Sequence, residues 1–407
     1  MDFNDTPEEA EFRAEARAWL EANAPANWQK RMQTEGMQAV CREWQATKYD
    51  AGWACLGWPE EYGGRALSSN KSAIFSEEES KLAPPSAAML VVGVGMTGPM
   101  LMVHANDDQK ERFLKKTARA DIVWCQLFSE PAGGSDLAAL RTRAVKDGDE
   151  WVVNGSKIWS SGAHEADWGI LVTRTDPDVP KHKGLTFFLL DMNTPGVEAK
   201  PIKQVSGQAH FNEVFFDNVR IPDANRLGAV GDGWKVSLTT LMNERMAVGS
   251  SAQLAVGFET LFDLARDLEG EDGPLIKDGA VRAQLAEWYA RSSGIKYANA
   301  RTMSALSRGD TPGPEASIGK LVNGPMRQSM SEYGMNLIDM AGGLMEGDEA
   351  PMKALFQHGL LGSIAGRIAG GTDEIMRNIL AERVLGLPGD VRVDKDVPFK
   401  DIPTGSN

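Results

Sequence analysis

The chain has 407 residues, 42% hydrophobic and 25% charged, with a formal net charge of −14. This composition suits a globular protein of about two to four domains, and the acidity works against binding nucleic-acid phosphate or an anionic membrane. Cys41, Cys55 and Cys125 show no CxxC spacing and the five histidines show neither HxxxH nor HxH. No disulfide framework and no metal site are therefore expected, and a reducing, cytoplasmic setting is.

The N-terminus, MDFNDTPEEAEFRAEARAWL, is acidic and amphipathic and lacks the basic start and apolar core of a signal peptide. The pattern predicts a helical domain over 1–120: Trp19, Leu20, Trp44 and Tyr49 fall among charges at helical spacing, and His104–Lys116 reads as a capped surface helix. Leu82–Val103 carries no charge, but Pro84, Pro85, Gly93, Gly95, Gly98 and Pro99 interrupt it. A buried helical segment with turns is expected there rather than a membrane span. From Asp121 the texture becomes β-branched and aromatic. Strand-like runs flank Asp147-Gly148, and a second turn is expected at Asn154-Gly155. A β domain over 121–231 follows. Long periodic segments then predict a helical bundle over 232–388, and the charged tail 389–407 is expected to be loosely held.

Four segments carry candidate chemistry. FSEPAGGSD (Phe128–Asp136) joins a strand end to a Gly-rich loop that is neither a Walker loop nor a dinucleotide fingerprint. It presents N–H groups and hydroxyls to a ligand, or it is a plain turn. KIWSSGAHEAD sets Trp159 beside Ser160 and Ser161 at a strand end, where the indole either stacks on a planar ligand or fills the core. Between Lys235 and Glu259 the only charged residues are Glu244 and Arg245. Adjacent helix residues diverge by about 100°, so these two do not form an on-helix pair. A carboxylate buried there is either bonded to a distant partner or poised for proton transfer. In RIAGGTDEIMRNIL, Gly370-Gly371 permits close backbone approach, Thr372 caps a helix, and Asp373 and Glu374 suit its first turn. There is no GxSxG nucleophile motif.

Together these segments resemble the acyl-CoA dehydrogenase family, over nearly the whole chain from Met1 to about Pro388. FSEPAGGSD is similar to that family's Thr-Glu-Pro-x-x-Gly-Ser-Asp signature, with Ser129 in the Thr position. WVVNGSKIWSSGAHEAD is similar to its Asn-Gly-x-Lys-x-Trp-Ile-Thr segment, and IAGGTDEIMRNILAERVLG to its C-terminal Gly-Thr signature. The resemblance implies an α+β fold with an N-terminal helical domain, a middle β-barrel or sandwich domain and a C-terminal four-helix bundle. It also implies FAD held between domains and subunits of a tetramer (four copies, or two kinds of chain), an acyl-CoA substrate, and an electron-transferring flavoprotein as partner.

Carried over residue by residue, the backbone at Gln126 and Phe128 and the Ser129 hydroxyl face the flavin pyrimidine. Trp159 lies against the ring system and Ser161 near its N5 edge. Gly134 and Ser135 stand where the FAD pyrophosphate meets the CoA arm. Thr372 and Glu374 meet the cofactor at the helix start, and Asp339–Gly343, with Gly342 and Gly343, resembles the segment reaching the neighbouring subunit's FAD. The family's Arg-x-x-Phe-Gly motif is missing, with Arg282 a candidate substitute. Gly370 stands where many relatives carry the catalytic Glu. Isovaleryl-CoA and long-chain acyl-CoA dehydrogenases carry it instead on the first long C-terminal helix, before an Arg, as Glu244-Arg245 does. The resemblance thus implies Glu244 as base, Arg245 beside the substrate, and the Gly370 N–H as a donor to the thioester oxygen. Gly93, Gly95 and Gly98 either open the acyl pocket for something bulky or sit in a turn. An acyl-CoA oxidase, a flavin monooxygenase of similar fold and a non-catalytic companion subunit are the alternatives. Glu244 argues against the last two, and the compact length favours a dehydrogenase over an oxidase.

Overall fold

The computed structural model describes residues 5–82, 90–250, 256–307, 313–345 and 349–403, and at 245–250, 303, 306 and 307 only the backbone. The chain folds as two compact units, residues 4–248 with 390–407, and residues 249–389.

The first unit opens with helices α1 (Pro7–Asn23), α2 (Trp28–Glu35), α3 (Met37–Asp50) and α4 (Ser69–Lys81). Thr6 and Glu9 form a capping box that starts α1. Trp19 stacks on Trp44 at 5.6 Å and on Trp53 at 5.7 Å, and Trp53 on Phe75 at 5.2 Å, so aromatic faces tie α1, α3 and α4 together. Val91–Thr97 is a widened helical stretch running into α5 (Gly98–His104), and α6 (Asp107–Arg119) follows a second capping box at Asn106 and Gln109. The expected surface helix is half core: Phe113 and Leu114 are buried. Gly93 and Gly98 are packing glycines rather than turn or pocket glycines. A Cβ at Gly93 would lie 3.3 Å from the Trp124 ring, and one at Gly98 only 2.2 Å from the Trp58 ring.

The β region has strands β1 (Trp124–Leu127), β2 (Arg143–Asp147), β3 (Glu150–Ser161), β4 (Trp168–Arg174), β5 (Leu185–Asp191), β6 (Val197–Ile202), β7 (Phe211–Pro222) and β8 (Arg226–Leu227). They form one sheet in the order β6-β7-β3-β2-β4-β5-β8, with β1 parallel to β4. The hairpin at Asp147-Gly148 forms as expected, with Asp147 opposite Glu150. Asn154-Gly155 is not a turn. β3 runs straight through it with a register shift, and Gly155, at φ 143°, lets Thr142 approach so closely that a Cβ would sit 2.8 Å from the Thr142 Cα.

Alternation along β1, β4 and β5 serves two cores. Trp124, Ile170, Val172, Phe187 and Leu189 pack with Met100, Leu101, Phe113 and Leu114 of the helices. Their neighbours Cys125, Leu127, Leu171, Phe188 and Leu190 pack with Trp151, Val153, Val214 and Phe216. Helix α7 (Gly233–Ser250) enters from the first core through buried Val236. The described part of the tail is not loose. Phe399 N–H donates to Val179 O at 2.9 Å, Lys400 N–H to Pro177 O at 3.0 Å, and the Phe399 ring lies 3.7 Å from the Arg174 guanidinium.

The second unit is helical: α8 (Phe258–Asp267), α9 (Gly279–Ser307), α10 (Ser317–Leu337), α11 (Leu355–Gly366) and the short α12 (Asp373–Ile379). Leu261, Leu285, Trp288, Met326, Met330 and Phe356 form its core. Among the described residues, no helix is long and apolar enough to cross a membrane, and no cluster of His, Cys, Asp and Glu could hold a metal ion.

The glycine packing is testable. Gly98→Ala drives a methyl into the rigid Trp58 ring and should cost about 1–3 kcal/mol in denaturant unfolding. Gly279→Ala, with nothing within 4 Å of the new methyl, should leave the midpoint unchanged.

Candidate active site

β1 and β3 bring two distant sequence motifs side by side. Ile158 N–H donates to Ser129 O at 2.9 Å. Fully buried Lys157 donates from Nζ to Phe128 O at 3.0 Å and to Glu130 Oε1 at 2.8 Å. Glu130, also buried, accepts from the N–H groups of Arg141 at 2.6 Å and Thr142 at 2.8 Å. Burial alone would raise the Glu130 carboxyl, but the Lys157 ammonium and the two N–H groups outweigh it and hold the carboxyl below its ordinary range. Burial prevails at Lys157, pulling the ammonium down to about 8 even beside Glu130.

Immediately after Lys157 the strand is strained. Trp159 has φ 61°, in the left-handed region that bulky residues avoid, at a register shift between Lys157 and Ser160. It is not core: 56% of it is exposed, and it meets the Phe211 ring edge-on at 6.0 Å. Ser161 beside it is half-buried, and the hydroxyl of Ser160 is buried without a hydrogen-bond partner among the described residues. On the adjoining loop, Glu130 and Gly133 exchange two backbone hydrogen bonds, and a Cβ at Gly134 would lie 4.0 Å from the Ser129 hydroxyl. Gly134 and Ser135 are exposed. An uncovered aromatic face and small hydroxyls fit a planar ring with hydrogen-bonding edges, such as a flavin.

Gln126, on β1, reaches across to α7. Its Nε2 donates to Glu244 Oε2 at 3.3 Å. The carboxylate expected to be buried without a helical partner is therefore half-buried and partnered from a strand 118 residues away. The Arg245 side chain lies outside the described residues.

In the second unit, Gly370 and Gly371 both take left-handed angles, φ 67° and 98°, and a Cβ at Gly371 would strike the Met376 methyl at 2.5 Å. The Thr372 hydroxyl accepts from Ile375 N–H at 3.2 Å and opens α12. The turn is pinned by Lys320, which donates to Gly371 O, and by Arg367, which meets buried Asp373 at 2.7 Å. Glu374 is exposed, and hydrogen bonds from its own N–H and from Thr372 lower its carboxyl. Gly342 is buried, where a Cβ would meet Met335 O at 2.5 Å, while Gly343 has nothing within 4 Å. Arg282 is exposed near the start of α9. Within this unit, Gly370, Thr372 and Glu374 share one turn; Arg282 and the Gly342-Gly343 pair belong to other elements.

Family models described as the N-terminal, middle and C-terminal domains of acyl-CoA dehydrogenase match residues 6–121, 125–219 and 231–385. The chain belongs to the acyl-CoA dehydrogenase family. This is a family of flavoproteins, and the three-domain fold is its fold. Acyl-CoA dehydrogenase FadE34 of Mycobacterium tuberculosis is 39% identical over 344 residues, 84% of this chain and 46% of that protein, so the chain spans about half its length. Acyl-CoA dehydrogenase IpdE1 of the same organism is 37% identical over 393 residues, 94% of this chain and 98% of that one. Among solved structures, the Tcur3481-Tcur3483 steroid ACAD superposes with a TM-score of 0.83 at 30% identity, covering 96% of this chain and 100% of its own. The ChsE4-ChsE5 complex from Mycobacterium tuberculosis gives 0.82 at 29% identity, with the same coverage.

The Lys157–Glu130 pair escaped the reading of the sequence, although a signal was there. Trp151 and Val153 mark the inward register of β3, and Lys157 falls on it. A lysine on the buried face of a strand demands a buried acceptor. Lys157→Met, which strands the Glu130 charge, should cost about 3–5 kcal/mol in denaturant unfolding, and adding Glu130→Gln should recover much of it. Because Glu130 is held below its unfolded value, its contribution is complete above the ordinary carboxylate range and is lost as pH falls through the folded value. The double variant should therefore lose stability less steeply in acid than the wild type.

Proposed function

We propose that this acyl-CoA dehydrogenase binds FAD and oxidises a bulky, steroid-derived acyl-CoA thioester to its trans-2-enoyl-CoA, passing the electrons to an electron-transferring flavoprotein. The observation that carries this reading is the Glu244 carboxylate held by the Gln126 side chain, on the strand that continues into Phe128 and Ser129. The steroid assignment is supported by the likeness to the Tcur3481-Tcur3483 steroid ACAD. Unpaired Cys41, Cys55 and Cys125 fit a cytoplasmic enzyme. The working assembly is a tetramer, of one chain or of two, the second arrangement being favoured by the likeness to the ChsE4-ChsE5 complex.

Trp159, Ser161 and the Gln126–Ser129 edge would hold the flavin, with Gly134 and Ser135 toward its pyrophosphate and the CoA arm; the family resemblance adds Thr372 and Glu374 as cofactor contacts. Bound there, FAD supplies the acceptor for the hydride that leaves the substrate's β-carbon. The chain's own work is the other half of the reaction. The α C–H of a thioester is a feeble acid, so its carbonyl needs prealigned donors, and the N–H of Gly370 is one. Glu244 takes the α-proton as the C–H bond breaks. Gln126 orients that carboxylate by donating to one of its oxygens. Gly370 itself offers no carboxylate, so the base falls to Glu244.

Glu244→Gln keeps size and removes the base. It should retain its flavin yet slow anaerobic flavin reduction by acyl-CoA by on the order of 10²–10⁴-fold. Reduction at the wild-type rate would make Glu244 structural. Adding Gly370→Glu should restore part of the rate, favouring straight chains over bulky ones, at a cost of about 1–2 kcal/mol in stability for a side chain at positive φ. Trp159→Ala should weaken flavin binding by about 1–3 kcal/mol, read from flavin release on dilution.

A further inference from the structure

The C-terminal segment lies beyond residue 385, where the family match ends, and it packs behind the Gly-rich loop. Lys181 is the hinge of that contact. Its side chain is 10% exposed, and its ammonium stands 2.8 Å from Asp136, the last residue of FSEPAGGSD, and 2.5 Å from Asp394 of the tail. Next to it, Arg174 is buried and donates to Lys181 O at 2.7 Å and to the carbonyls of Ala138 and Leu140, which follow the loop. The Phe399 ring covers the Arg174 guanidinium. Phe399 and Lys400 fix the tail through their backbone bonds to Val179 and Pro177, and Lys400 pairs with Asp178 at 2.8 Å.

Two consequences follow from elementary electrostatics. A phosphate seated at Gly134 and Ser135 would meet the negative charge of Asp136 one residue away, and unscreened like charges at such range repel strongly. Lys181 neutralises that charge from the side, and Asp394 holds Lys181 where it can do so. Arg174 meanwhile fixes the loop's exit through the carbonyls of Ala138 and Leu140, and Phe399 covers Arg174.

We propose that residues 390–402 form a strap that fixes the Gly133–Leu140 segment and, through Lys181 as positioning residue, neutralises Asp136 so that the loop accepts a phosphate-bearing ligand. The ligand part rests on the acyl-CoA reading above. The test uses the full-length flavoprotein and free coenzyme A as probe. In Phe399→Ala/Asp394→Asn, amide hydrogen exchange should rise across 133–140 while the β4–β5 core stays protected. Exchange there equal to wild type overturns the strap. Calorimetric titration should show coenzyme A binding about tenfold more weakly to Lys181→Met. Lys181→Arg should bind as wild type, and adding Asp136→Asn to Lys181→Met should restore affinity, which lost packing alone would not. Unchanged affinity in Lys181→Met overturns the charge role. If the wild type itself binds no coenzyme A, the acyl-CoA reading and the ligand part fall together, and the exchange result alone decides the strap.

Discussion

A buried ammonium and a buried carboxylate, Lys157 and Glu130, hold the Ser129 loop and the Trp159 strand end of this protein together. Removing both charges from water costs several kcal/mol per ion, and the attraction between them repays this only with further hydrogen bonds. Here those bonds come from the N–H groups of Arg141 and Thr142 and from the Phe128 carbonyl. The return is geometric. One pair closes a gap of 27 residues and sets the Ser129 loop and the Trp159 strand end at a fixed spacing. A hydrophobic pair of similar volume would be at least as stable, but it would not direct three hydrogen bonds.

The strain at Trp159 becomes intelligible beside that anchor. A tryptophan at positive φ with half its surface in water costs free energy on both counts. Lys157 is fixed on one side and the β3–β7 pairing of Ser160 and Ser161 on the other, and the bulge between them carries Trp159. The same sheet supplies Gln126 by simple alternation. Cys125 and Leu127 face one core, while Gln126 turns the other way, toward α7 and Glu244. A strand period of two thus decides which side chain meets the carboxylate.

Much of this was legible in the sequence. Local periodicity and turn chemistry marked the helix–strand–helix order and the Asp147-Gly148 hairpin, and the motifs marked Trp159, Ser129 and the Gly370–Thr372 turn. What failed depended on contacts between distant residues. Asn154-Gly155 reads as a turn because nothing local says that Thr142 presses against it. Gly93 and Gly98 read as pocket or turn residues because the rings that need their space belong to Trp124 and Trp58. The tail reads as loose because its binding rests on Arg174, Val179 and Lys181, some 200 residues earlier. Glu244 looked isolated for the same reason: a helix shows its own neighbours, not a glutamine on a strand.

The central claim is that Glu244 removes the α-proton, and the most direct measurement isolates that step from the redox chemistry. A 3-thiaacyl-CoA carries sulfur in place of the β-carbon, so it can lose an α-proton but no β-hydride. In deuterated buffer the wild-type flavoprotein should catalyse exchange of its α-hydrogen, followed by NMR or mass spectrometry, and Glu244→Gln with full flavin content should not. Exchange at equal rates in both proteins would contradict the account and place the base elsewhere in the chain.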